Sequence, residues 1–125
     1  MDITPAVTAG RQLIEGYRPG GFRIAGVQHA GSVLVLPDET RPWPIAAPEQ
    51  ITAESLAPIA ASEPPVELLI VGMGPRFGLL APDLRAALRA RGIAIEAMAT
   101  DAACRTYNVL LIEDRRVAAA LIALS

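Results

Sequence analysis

The stretch from Pro64 to Asn108 limits what this chain can fold into more than any other. An apolar run, Val66-Glu67-Leu68-Leu69-Ile70-Val71, leads into Gly72-Met73-Gly74-Pro75-Arg76-Phe77-Gly78. One charge in that run suits a strand covered on both faces, and we expect it to be the central one. Apolar residues then fall at Leu80, Leu84, Ala87 and Leu88, the spacing of a helix with one buried face. Pro82 near its start and Gly92 just after Arg91 punctuate it. Ile93 to Met98 returns as a strand, and Thr100 to Asn108 opens a second helix, with Thr100 placed to cap it and Asp101 at its positive end. Alternation of strand and helix predicts an α/β layered domain around a parallel strand pair.

The flanking segments add shorter elements. Gln12 to Tyr17 reads as a short strand running into the turn Arg18-Pro19-Gly20-Gly21. Phe22 to Val27 and Ser32 to Leu36 then predict a hairpin around Gln28-His29-Ala30-Gly31. Trp43-Pro44-Ile45 fits a brief edge strand. Thr52 is placed to cap a short helix, with Ser55 at the capping-box position and Pro58 keeping it short. The tail Val117 to Leu124 is open between a helix, which its alanines favour, and a buried closing strand. We read residues 1–125 as one domain, with 1–10 as a loosely ordered N-terminal arm.

Composition excludes more than it selects. The chain has 125 residues and a net charge of −2, so no clustered positive charge points to nucleic acid. Its basic residues are all Arg; without Lys there is no Schiff base and no Walker-type phosphate grip. One Cys and one His exclude an intramolecular disulfide and a Cys/His metal cluster, and no cofactor is implied. The N-terminus lacks the basic start and apolar core of a signal peptide, and the longest wholly apolar run, Val117 to Leu124, falls short of the roughly 18 residues a membrane helix needs. We therefore expect a cytoplasmic protein without membrane insertion. A mean hydropathy of +0.37 suggests that a protein partner, or a second copy, covers some apolar surface.

Several residues carry candidate chemistry. Gly72, Gly74 and Gly78 follow a strand and precede a helix, so one reading of their backbone, with Arg76, is an anion or nucleotide cradle, and Glu96 ends the next strand where a dinucleotide fold keeps its ribose-binding acid. The spacing is GxGxxxG instead of GxGxxG, which favours a tight turn that only Gly tolerates. Cys104 lies in the first turn of a helix beside Arg105, a setting that activates thiols, yet the sole imidazole, His29, sits in a distant loop, which favours a buried small residue. Arg105, Thr106, Tyr107 and Asn108 offer donors, acceptors and a ring within one turn. They fit a ligand crevice beyond the strand ends, or a tie from helix to Gly72 loop in which Arg105 bonds backbone carbonyls. Trp43, between Pro42 and Pro44, is either a cap over the core or an exposed anchor for a partner. No catalytic constellation emerges.

Taken together, Gly20-Gly21-Phe22-Arg23-Ile24, Gly31-Ser32-Val33-Leu34-Val35-Leu36-Pro37, Trp43-Pro44, Gly72-Met73-Gly74 and Cys104-Arg105-Thr106-Tyr107-Asn108 resemble a family of small domains. Its mitochondrial member is the NADH:ubiquinone oxidoreductase (complex I) assembly factor 3. The resemblance runs from about Gly10 to Leu124, with Met73 standing where the family more often has Thr. It implies a three-layer α/β domain with a central mixed sheet, an added β-hairpin and a closing antiparallel strand. It further implies a non-catalytic role in assembling a respiratory complex with protein partners.

Overall fold

A computed structural model describes residues 10–125; the expected N-terminal arm lies outside them except for Gly10. Three short strands come first: β1 (Ile14–Arg18), β2 (Gly21–Ile24) and β3 (Val27–Ala30) form an antiparallel meander in that order. A second sheet takes β4 (Val33–Val35), β5 (Thr40–Pro42), β6 (Leu68–Gly72), β7 (Ala94–Met98) and β8 (Val117–Leu121) in the order β5-β4-β8-β6-β7. Helices α1 (Ala57–Ala60), α2 (Pro82–Arg89) and α3 (Thr100–Ile112) complete the chain.

Period-two alternation builds the layers. In β4, β6 and β8, Leu34, Leu69, Val71, Ala118 and Ala120 face one core, with Leu84 and Leu88 of α2 and Ile59 of α1. Their neighbours Val33, Val35, Ile70, Val117, Ala119 and Leu121 face the other, with Phe22 and Ile24 of the meander and Ala103, Cys104, Tyr107 and Leu111 of α3. The five-stranded sheet is thus the middle of three layers, with β4, β6 and β8 covered on both sides. β6 runs parallel to β7 and β8, whereas β4 pairs antiparallel with β8 and β5, so the sheet is mixed, as the family likeness implies.

Several expectations change. β6 is not central; β8 is, and its closing segment is a strand although Ala118, Ala119 and Ala120 favour helix. Full burial between β4 and β6 outweighs intrinsic propensity, and residues this small let layers close over both faces. β8 is antiparallel to β4 and parallel to β6.

The hairpin turn lies at Ala25-Gly26, with φ of 49° and 80°, and the expected loop residues Gln28, His29 and Ala30 are strand β3. Two positive φ values are what a two-residue hairpin requires, and the Glu15 carboxylate accepts the Gly26 N–H. Trp43-Pro44-Ile45 follows the edge strand β5 instead of forming it, because Ile45 N–H turns back to Trp43 C=O at 2.8 Å. Ala87, assigned to the buried face of α2, is exposed. Thr52 and Ser55 do exchange reciprocal side-chain bonds at 3.1 Å ahead of α1.

Candidate functional site

The turn leaving β6 is where a layered α/β domain usually binds ligand. Gly72 and Gly74 are buried and packed against the start of α3. A Cβ on Gly72 would lie 2.9 Å from Thr100 Oγ1, 3.0 Å from Thr100 Cα and 3.1 Å from Leu121 Cδ2, so the glycine is required by an approach within the protein. Gly74 has φ of 98°, which a side chain rarely adopts.

The two donors nearest β6 are spent internally. Met73 N–H bonds Met98 C=O at 2.8 Å, and Gly74 N–H bonds Thr100 Oγ1 at 2.9 Å. The Thr100 hydroxyl in turn donates to Ile122 C=O at 2.7 Å, and Thr100 N–H donates to Gly74 C=O at 2.8 Å. Thr100 is therefore not the cap expected from sequence. It is a buried clamp joining the ends of β6, β8 and α3, and the N-cap position, Ala99, has no side-chain cap. Sequence reasoning saw the hydroxyl but had no means of seeing its distant partners.

The candidates on α3 separate. Cys104 is buried, and burial first, then the Asp101 carboxylate, push its thiol up to about 12 against the weaker pull of Arg105; that is the reverse of activation. Arg105 is exposed and pairs with Asp101 at 4.0 Å instead of reaching backbone carbonyls. Asn108 ties α3 to β1, not to the Gly72 loop: its Oδ1 accepts from Ile14 N–H at 2.9 Å and its Nδ2 donates to Ile14 C=O at 2.7 Å. Tyr107 is fully buried, and its hydroxyl has no partner among the described residues. Burial raises its pKa, opposed by Arg11.

Trp43 is 3% exposed and donates its indole N–H to Ser55 C=O at 3.0 Å, so it is the cap over the core and not an exposed anchor. Arg76 is exposed, and beyond it Phe77 and Leu79 are 69% and 82% exposed on the loop between β6 and α2. These two are the large apolar side chains that the turn leaves in water. A sealed turn thus carries an open apolar loop. Among the described residues no group of three or more His, Cys, Asp or Glu is placed to hold a metal ion.

A family model described as a protein of unknown function (DUF498/DUF598) matches residues 14–122. The chain belongs to that family. Within the DUF498/DUF598 group, an uncharacterized protein of Rhodobacter capsulatus is 42% identical over 114 residues, which span 91% of this chain and 86% of that protein. The NADH dehydrogenase [ubiquinone] 1 alpha subcomplex assembly factor 3 of Danio rerio is 39% identical over 110 residues, and that of Mus musculus 38% over 109. These matches span 88% and 87% of this chain but 63% and 59% of the animal proteins. The crystal structure of an outer membrane protein from Bartonella henselae superposes with a TM-score of 0.86 at 37% identity, covering 94% of this chain and 98% of that one. A Bordetella pertussis protein described as a Mth938-like domain gives 0.81 at 29% identity, covering 98% and 92%. The fold is therefore Mth938-like, and no helix among the described residues is long and apolar enough to cross a membrane.

Proposed function

We propose that this chain is a non-catalytic interaction protein that assists the assembly of a larger protein complex, a respiratory one by analogy with the animal relatives. The supporting observation is the loop beyond Gly74, where Phe77 and Leu79 stand exposed beside Arg76 above a turn held rigid by Thr100. Exposed apolar groups on a fixed base lose little entropy on docking, and an aromatic flanked by Arg has the composition of an interface anchor. A non-catalytic reading is supported by the buried thiol and by the Met73 and Gly74 amides, which are bonded within the protein. The names of the relatives point to the same kind of role. We place this activity in the cytoplasm, with protein partners and without nucleic acid.

The test is native affinity capture from the source cells, read by mass spectrometry, with wild type beside a Phe77→Ser/Leu79→Ser variant. Wild type recovers a defined partner set, and the variant loses it while unfolding at the same denaturant concentration. Recovery of the same set by both would discard the loop as the docking element. A purified sample that turns over a substrate would discard the non-catalytic reading.

A further inference from the structure

Each sheet of this molecule has two outer strands, and they are not protected alike. Backbone groups left on such an edge form a template for another chain, and natural proteins cover them. β5 carries Pro42, which has no N–H to offer. On β7, Arg85 Nη1 donates to the carbonyl of Ile95, which points away from β6. β1 is broken by a bulge between Ile14 and Gly16, and both backbone groups of Ile14 are held by Asn108.

β3 has none of these devices. The two-residue turn at Ala25-Gly26 makes Ile24 and Val27 a hydrogen-bonded pair, and the ladder then alternates through Phe22 and His29 to Gly31 N–H on Gly20 C=O at 2.8 Å. The N–H and C=O of Gln28 and Ala30 therefore point away from β2, and among the described residues no hydrogen bond reaches them. Val27 lies opposite buried Ile24 on the inner face of the meander, yet it is 55% exposed because no strand of the described residues lies beyond it. Immediately after β3, Gly31 and Ser32 enter a cleft of about 410 Å³ walled by Trp43, Pro44, Ile45 and Ala123.

We propose, building on the interaction role above, that β3 receives an extended segment of a partner protein as a fourth strand of the meander. That segment covers Val27, pairs with Gln28 and Ala30, and places an apolar side chain in the cleft beyond Gly31. A second copy is the weaker occupant. β3–β3 pairing joins only four residues from each chain, against the roughly 20–30 residues a side of a stable interface, whereas a longer segment gains the cleft as well.

The probe is a displayed library of random peptides selected on the purified chain, followed by synthesis of the winning peptide with single backbone N-methyl groups. The expected result is a peptide of alternating apolar residues. Its affinity falls about tenfold when alternate amides are methylated and is unchanged when the intervening ones are. Ala30→Pro weakens the unmethylated peptide similarly, whereas Phe77→Ser/Leu79→Ser does not. The peptide series keeps the test valid even if the Pro variant folds poorly. No enrichment, indifference to N-methylation, or a concentration-dependent dimer abolished by Ala30→Pro would each overturn the proposal. A native partner that requires Phe77 and Leu79 but tolerates Ala30→Pro would overturn it while leaving the assembly role intact.

Discussion

At the turn after β6, the amides of Met73 and Gly74 end on Met98 C=O and the Thr100 hydroxyl, deep inside the molecule. At β3, the amides of Gln28 and Ala30 end on no described residue. Both segments follow the same rule, that a buried backbone group must find a partner and an exposed one need not. The difference is what lies over them: α3 and β8 seal the first, and none of the described residues seals the second. A glycine-rich turn with the outline of a ligand cradle is thus a structural joint, while an unremarkable run, Val27-Gln28-His29-Ala30, keeps recognition capacity unspent.

This contrast is broken most severely by Thr100→Val. The change is nearly isosteric but orphans the Gly74 N–H and the Ile122 C=O, so the expected loss in urea unfolding is about 3 kcal/mol. Gly72→Ala comes next. Its new methyl group would sit 2.9 Å from Thr100 Oγ1, and chemical denaturation should show a loss of about 2 kcal/mol. A loss under about half a kcal/mol from either would mean that the joint has slack that the geometry does not suggest. Tyr107→Phe sharpens the picture from the other side: deleting a buried hydroxyl without a partner among the described residues should raise stability by about 1 kcal/mol, seen as a higher denaturation midpoint at unchanged slope. Phe77→Ser and Leu79→Ser, on the open loop, should each stay within about 0.5 kcal/mol of wild type in the same assay.

Much of the architecture was legible in the sequence where periodicity is long and uninterrupted. The runs of β6, α2, β7 and α3 are such cases, and Ala103, Tyr107 and Leu111, four residues apart, lie on the buried face of α3. What escaped was of three kinds. The Ala25-Gly26 turn escaped because Ala is not a residue that advertises positive φ, and the glycine at Gly31 looked equally suitable. The role of Thr100 escaped because a capping hydroxyl and a clamping hydroxyl look the same until Gly74 and Ile122 are brought to it. The central position of β8 escaped because strand order is decided by which faces α2 and α3 must cover, not by any local property of Val117 to Leu121. Of the candidate site, the close approach at Gly72 and the i,i+4 pairing of Arg105 with Asp101 are local and readable, whereas the Ile14 partner of Asn108 belongs to tertiary structure.

Residue-resolved amide hydrogen exchange of the isolated protein tests the contrast directly. The amides of Met73 and Gly74 should be among the slowest in the chain, opening only with global unfolding, while those of Gln28 and Ala30 exchange at nearly the unprotected rate. Fast exchange at Gly74, or protection at Gln28 and Ala30 without a partner present, would contradict the account.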